Sequence, residues 1–432
     1  MFKFIKKQSP TRIMAAGFLL LILLGSLLLM LPISVREGVS LSYIDSLFTT
    51  TSAVCVTGLV SIDVANTFTF FGQVVIILLI QIGGLGVTTF GAILILAVGK
   101  KMGFKGISIM RESLNLDSSR GIRNFILDIL LTTLFFEFVG SVIHIFVFIK
   151  DFTPMKAIWV AVFHSISAFN NAGFDIVGNF TSMIPYQNNI LLNLTTSALI
   201  IFGGMGFLVI KEIIAKKHHW RKYSMHTKVV LTMTASLLVI GTVMIKLTEE
   251  VTWLGAFFLS TSARTAGFTT YDLSKFSRLG LLTISALIFI GASPGSTGGG
   301  IKTTTFFVLL AGIKSAATNK TEKAFKYAIP SDAFKKSSVI FLLGLAVLCI
   351  GTFAICIFEP LIPLEDIFFE VVNAFGTAGL STGITPTLSV GSKLVLIFGM
   401  YIGRCGPLTI ATMWSFAKSE NYNYPVGNIA VG

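Results

Sequence analysis

The chain has 432 residues, of which 53% are hydrophobic and only 12% charged, with a net charge of +13. Soluble globular chains average about 25% charged residues, so the composition excludes an ordinary soluble enzyme. With a mean hydropathy of +0.84, most of the chain must have lipid as its solvent, and it reads as an all-α polytopic membrane protein.

Residues 1–12 form a basic tail, MFKFIKKQSPTR, ahead of a first apolar run at 13–31. That pairing looks like a secretory signal, but it lacks a convincing cleavage site. Further runs long enough to cross about 30 Å of hydrocarbon lie at 68–98, 125–149, 189–213, 229–248, 279–313, 338–358 and 392–417. Eight crossings are therefore expected. Between them lie apolar stretches too short to span, at 43–54, 157–169, 252–263 and 366–375, which read as re-entrant half-helices. The expected organisation is a cytoplasmic tail (1–12), four repeats (13–99, 124–214, 229–313 and 337–417), three cytoplasmic loops (100–123, 215–228 and 314–336) and a cytoplasmic C-terminal tail (418–432).

The placement of charge sets the topology. If the N-terminus is inside, the inner segments hold 23 Lys and Arg and the outer ones six: Arg36, Lys150, Lys156, Lys275, Arg278 and Lys393. This is a positive-inside signal that puts both termini in the cytoplasm, and it accounts for the basic charge without nucleic acid. Acidic residues such as Asp45, Asp63, Asp175 and Glu359 gather on the outer side. An acidic outer face concentrates cations, although acids are also simply tolerated there. The cysteines, Cys55, Cys349, Cys356 and Cys405, show no paired spacing and imply neither a disulfide nor a metal.

Each short stretch ends in the same motif. Phe48 precedes Gly58 by ten positions, as Phe163 precedes Gly173, Phe257 precedes Gly267 and Phe369 precedes Gly379, and an apolar residue follows each glycine. The glycines are 115, 94 and 112 residues apart. Each repeat contains two crossings, so its ends return to the same side and all four repeats point the same way. Parallel repeats suit a pseudo-four-fold ring around one axis. Helix-start signals at Asp45-Ser46, Thr153-Pro154, Thr252-Trp253 and Glu365-Asp366 bring each half-helix in from outside, so that its negative dipole end reaches the midplane, where it favours a cation. Beyond that end, irregular backbone is tolerated only beside a watered cavity. Glycine lets consecutive carbonyls point inward, where a ring of them can replace the hydration shell of an ion. Any one of these glycines could instead be a helix-packing residue; their recurrence in matching context argues for a filter.

These residues resemble the Trk/Ktr/HKT potassium transporters, and most closely the KtrB-like membrane subunits of bacterial Ktr systems. The likeness covers nearly the whole chain and includes Val56-Thr-Gly-Leu59, Asn170-Asn-Ala-Gly-Phe174, Arg264-Thr-Ala-Gly-Phe268 and Gly376-Thr-Ala-Gly-Leu380. The resemblance implies four M1-P-M2 units (helix, re-entrant pore helix, helix) in one subunit, around a single pore for potassium uptake. The implied filter is Val56, Thr57, Gly58; Asn171, Ala172, Gly173; Thr265, Ala266, Gly267; and Thr377, Ala378, Gly379. Potassium, as the cargo, would sit at the backbone carbonyls of Thr57, Gly58, Ala172, Gly173, Ala266, Gly267, Ala378 and Gly379. In related plant proteins a Ser at the first filter glycine goes with sodium transport, whereas all four positions here are Gly. The resemblance further implies a homodimer, with the tail Pro425–Gly432 in its contact, on a cytosolic ring of nucleotide-binding RCK subunits. No covalent cofactor is implied, and sodium enters as a candidate activating ion.

The second span of the third repeat contains Gly291, Ala292, Ser293, Pro294, Gly295, Ser296, Thr297, Gly298, Gly299 and Gly300. A proline and five glycines in ten residues cannot stay helical. A phosphate loop is excluded, since Ile301 separates Gly300 from Lys302. The stretch reads as an intramembrane gating loop beneath the filter, or else as a simple kink. Arg404 lies in the last span, about 16 and 21 Å along a helix from Lys393 and Lys418, too far to snorkel to either surface. Its expected partners are carbonyls of the 291–300 loop, or else an acid of another helix. Arg264 is read as bracing the filter from behind and His164 as a pore-helix anchor, with His218-His219 solvated. Asp128, Glu137 and His144 could form an ion-coupling relay or be structural.

Two competing classes remain to be weighed. An alternating-access carrier for another small monovalent cation is the alternative, although such folds often carry inverted repeats. An intramembrane enzyme would need a nucleophile with a base, or metal ligands, at helical spacing, and no HExxH, GxSxG or paired-carboxylate arrangement occurs.

Overall fold

The computed structural model describes residues 10–97, 121–217 and 219–413. The two tails beyond these limits, most of the 100–123 loop, His218, Lys418 and Pro425–Gly432 lie outside the described residues.

Four long helices are α1 (Pro10–Leu29), α5 (Ile122–Phe148), α9 (Met225–Thr248) and α13 (Ser331–Phe358). Each is followed by a shorter one: α2 (Tyr43–Val54), α6 (Pro154–Phe169), α10 (Trp253–Ser262) and α14 (Leu364–Gly376). Local chemistry explains where these begin. Ser42 caps α2 by accepting from the Asp45 amide, so α2 starts ahead of the expected Asp45-Ser46 signal. Thr252 caps α10 in the same way, and Pro154, whose missing N–H costs nothing there, opens α6.

The apolar runs that form the second crossings are all broken. They form α3 (Phe70–Leu85) and α4 (Val87–Ala97), α7 (Ile190–Met205) and α8 (Phe207–Lys216), α11 (Arg278–Phe289) and α12 (Thr303–Thr318), and α15 (Val390–Cys405) and α16 (Pro407–Met413). Only the third of these breaks is expected from sequence. The other three fall at Gly86, Gly206 and Gly406, whose φ values of 85°, 93° and 89° no helix can accommodate. At Gly206 the chain turns by 101°. Among the described residues, four helices are long and apolar enough by themselves to cross a bilayer, or five if α7 and α8 count as one span. Segment 314–336 departs from all-α structure in a small antiparallel hairpin, β1 (Lys323–Ala324) with β2 (Tyr327–Ala328).

Packing is cyclic. Each long helix rests on the short helix that follows it, while α3 packs on α6, α7 on α10, α11 on α14, and α15 returns to α2. Side chains join these seams: Trp159 Nε1 donates to Gln73 Oε1 at 2.8 Å, Arg278 Nε lies 2.9 Å from Glu365, and Lys393 Nζ lies 2.8 Å from Asp45 Oδ1. The short helices occupy the centre, with Phe48, Phe163 and Phe369 fully buried; in α10 Phe258, rather than the aligned Phe257, takes that place. Outward-facing apolar residues such as Leu131, Phe138, Ile350 and Phe353 are exposed on α5 and α13, as a lipid-facing surface requires.

Candidate functional site

The C-terminal ends of α2, α6, α10 and α14 run into four short segments that share one backbone conformation. Val56, Asn171, Thr265 and Thr377 have positive φ (51°, 57°, 84° and 51°), and so do Gly58, Gly173, Gly267 and Gly379 (92°, 69°, 82° and 80°). The residue between each pair, Thr57, Ala172, Ala266 or Ala378, has negative φ. Alternating handedness turns successive carbonyls the same way. The amides face the other way: Thr57 N donates to Ser52 O, Ala172 N to Ser167 O and Ala266 N to Ser262 O, each at 2.8 Å, and Ala378 N donates to Asn373 O at 3.0 Å.

The four segments meet in a closed ring. A Cβ at Gly58 would lie 2.7 Å from the Ala172 carbonyl oxygen, one at Gly173 the same distance from Ala266 O, and one at Gly267 the same distance from Ala378 O. A Cβ at Gly379 would strike Thr57 O, which closes the circle. No side chain fits at these positions. On one side of the ring a cavity of about 270 Å³ is lined by the four glycines together with Asp63 and Asp175. Burial pushes the Asp175 carboxyl up to about 6, outweighing its hydrogen bond from the Val177 amide, and the nearby Asp63 charge adds to the rise.

The other side of the ring is covered by the 291–300 stretch. Gly298 abuts the Thr265 side chain and Gly299 that of Thr377, while a Cβ at Gly300 would lie 3.3 Å from Gly376 O. The stretch is pinned by backbone bonds to the α7–α8 corner: Ser293 N to Gly204 O at 3.0 Å, Thr297 N to Gly203 O at 3.2 Å, and Phe207 N to Gly295 O at 3.1 Å. Its own fold is held by Ala292 N to Gly299 O at 3.3 Å and Ser296 Oγ to Ser293 O at 2.6 Å. Gly291 packs against the Gly299 carbonyl, and Pro294 O faces Gly206, whose added Cβ would approach it to 2.6 Å. The Arg404 guanidinium donates to the carbonyls of Thr297, Gly83 and Gly84, so it ties the stretch to the α3–α4 corner. Its partners are carbonyls, as one of the two sequence readings expects; among the described residues it has no carboxylate.

Residues 3–424 match the family described as TrkH, cation transport protein. The chain belongs to that family. It is 38% identical to the potassium/sodium uptake protein NtpJ of Enterococcus hirae over 446 residues, covering 99% of this chain and 98% of the relative. It is 36% identical to the Ktr system potassium uptake protein B of Bacillus subtilis, with 98% and 97% covered. The fold is similar to the crystal structure of the potassium transporter TrkH from Vibrio parahaemolyticus, with a TM-score of 0.72 at 20% identity over 93% of this chain and 85% of that one. Members of the TrkH family are cation transporters rather than enzymes.

In this TrkH-family chain Asp128, Glu137 and His144, which the sequence leaves open as a relay or as structural residues, each have a different partner. Asp128 pairs with Lys211 at 2.6 Å, with both side chains about half exposed. Glu137 accepts from Asn170 Nδ2 at 2.9 Å. His144 and His164 share Thr196 Oγ1, at 3.3 and 2.9 Å, with their rings 4.8 Å apart, so His164 does anchor its short helix. Arg264 is buried beside Gly204 and Leu238. Sequence reasoning gave no role to Lys302, whose Nζ donates to Gly298 O at 2.7 Å and so places a second cation on the stretch that Arg404 holds. The signal was available: an amine inside the apolar run 279–313. The corner glycines were legible too, as the recurring Gly-x-x-Gly at 83–86, 203–206 and 403–406.

Proposed function

We propose that this chain takes up potassium across the plasma membrane as the ion-translocating subunit of a Ktr-type system. The observation that carries the reading is the closed ring of four glycine segments with alternating backbone handedness, at which four helix C-termini converge. Carbonyls of Thr57, Gly58, Ala172, Gly173, Ala266, Gly267, Ala378 and Gly379 would replace the water around a potassium ion, and the four dipole ends favour positive charge there. Val56, Asn171, Thr265 and Thr377 complete the filter. The names of the relatives support potassium as the cargo, and that of NtpJ supports sodium as a further ion, which we assign an activating role.

The repeats are four M1-P-M2 units around one pseudo-four-fold pore, a reading supported by the cyclic packing. The acidic, cavity-bearing side is the outside and both termini are cytoplasmic, by the positive-inside argument. The 291–300 stretch with Arg404 is the gate: it covers the inner side of the ring, and two cations bound to its carbonyls oppose a passing ion while it is closed. Control comes from a cytosolic RCK-type ring beneath a homodimer of this chain, as the likeness to Ktr subunits suggests, with Pro425–Gly432 in the dimer contact; deleting those residues should alter the oligomeric state.

Rubidium uptake into proteoliposomes, wild type against Gly58→Ser under competing potassium or sodium, tests the reading. Strong competition by potassium in the wild type, lost in the variant, supports the filter. Equal competition by both ions, or no effect of the substitution, refutes it and favours a carrier for another cation.

A further inference from the structure

A carboxylate inside a membrane is costly and needs a partner that repays its burial. Glu137, midway along α5, is 6% exposed. Its Oε1 accepts from Asn170 Nδ2 at 2.9 Å, and the same amide nitrogen lies 3.0 Å from Gln81 Oε1 of α3. Ser141 Oγ and Ser165 Oγ both donate to the Glu137 carbonyl at 2.7 Å, which locks α5 to α6 at this level.

Asn170 stands where α6 ends, immediately before Asn171, whose positive φ begins the second glycine segment. With its amide oriented to satisfy its neighbours, Asn171 donates to Ala168 O and Ile200 O at 3.1 and 3.2 Å and accepts from Thr265 Oγ1 of the third segment at 3.3 Å. Asn170 also fills the space beside Gly84, where an added Cβ would lie 2.7 Å from its Cγ, and the Gly84 carbonyl accepts from Arg404 Nη2 at 3.1 Å. Glu137 thus shares with Gln81 and with the Ile166 carbonyl, which accepts from the same nitrogen at 2.9 Å, the hold on a residue that adjoins the second glycine segment and touches the corner to which the covering stretch is tied. The corresponding positions of the other segments are Cys55, Arg264 and Gly376, so none of them offers an amide to such an anchor.

We propose that Glu137 is a positioning residue for ion discrimination: by holding Asn170 it sets the placement of the second glycine segment, and so the size of the carbonyl ring. This rests on the filter reading above. Discrimination between ions depends on the number and placement of ring carbonyls, whereas folding alone would be served as well by an apolar side chain of similar volume.

The test compares wild type, Glu137→Gln, Glu137→Leu and Asn170→Ser. Two measurements are made: the potassium and sodium concentrations that half-maximally raise the melting temperature of the detergent-solubilised protein, and competition by the same ions against rubidium uptake in proteoliposomes. Glu137→Leu should lower the potassium-over-sodium preference about fivefold, the change that corresponds to the loss of one buried hydrogen bond. Glu137→Gln, which still offers Asn170 an acceptor, should keep most of that preference. Asn170→Ser breaks the same contact from the other end and should reproduce the loss, which keeps the test decisive if Glu137→Leu does not fold. A Glu137→Leu or Asn170→Ser protein with a lowered melting temperature but wild-type preference would overturn the proposal and leave Glu137 a purely structural residue. A wild type with no preference in either measurement would instead sink the filter reading, and this inference with it.

Discussion

Lys393 Nζ lies 2.8 Å from Asp45 Oδ1, joining residues 348 apart in sequence, with side chains only 9% and 17% exposed. The pair ties α15 to α2 and so closes the ring of packed helices. Removing one partner of a buried pair strands the other charge, at a cost of about 3 kcal/mol. Lys393→Met should therefore lower the melting temperature in detergent clearly, and adding Asp45→Asn should recover part of that loss, since coupled partners are not additive. Additive losses would show that the pair does not close the ring.

Gly206 has φ 93°, and an added Cβ would approach Pro294 O to 2.6 Å. Gly206→Ala is expected to cost about 1–3 kcal/mol in backbone strain alone and to push the 291–300 stretch off the α7–α8 corner. The expected result is a lower melting temperature together with a raised basal rubidium flux. Gly91, which has open space around it, is the control position, and Gly91→Ala should change neither.

Deleting Ser296–Gly299 should raise flux, because it removes the residues that abut Thr265 and Thr377 and accept from Lys302 and Arg404. Arg404→Ala should increase leak in a protein that still folds, and Lys302→Met should do so less strongly, since Lys302 touches the stretch but not the α3–α4 corner. Unchanged flux in an intact deletion protein would reject the gate.

External pH offers an independent check. The Asp175 carboxyl titrates near 6, raised from 3.8, so it is neutral below that pH and negative above it. A negative charge lining the cavity raises the local cation concentration. The potassium concentration for half-maximal uptake should therefore rise as external pH falls through about 6. Asp175→Asn should have the weaker affinity at all pH values and a flattened profile. A profile unaltered by that substitution would assign the pH dependence elsewhere.

Much of this arrangement was legible in the sequence, because it depends on local chemistry. Apolar runs must match the thickness of hydrocarbon, basic loops mark one side, Thr252 and Pro154 are local helix-start signals, and a glycine at a position of positive φ leaves a motif that recurs with its context. The same locality exposed the stretch 291–300, whose proline and glycines no helix accepts. The recurring Gly-x-x-Gly at 83–86, 203–206 and 403–406 marks the breaks at Gly86, Gly206 and Gly406, but closely spaced glycines in an apolar run are also compatible with an unbroken packed helix, and at Gly206 it is the stretch folded against Gly203, Gly204 and Gly206 that shows the corner in use.

What the sequence by itself determined is the kind of solvent the chain folds in, the four glycine segments and the short helices that lead to them. Which residues those segments meet was decided by the tertiary structure alone. That Gly379 faces Thr57, that Arg404 reaches the carbonyls of Gly83 and Gly84 as well as the covering stretch, and that Glu137 meets Asn170 rather than Asp128 or His144 all join residues far apart in the chain. Such pairings follow from helix packing around a common axis, which no single segment encodes, because each buried polar group takes whichever partner the assembled helices bring within hydrogen-bond reach.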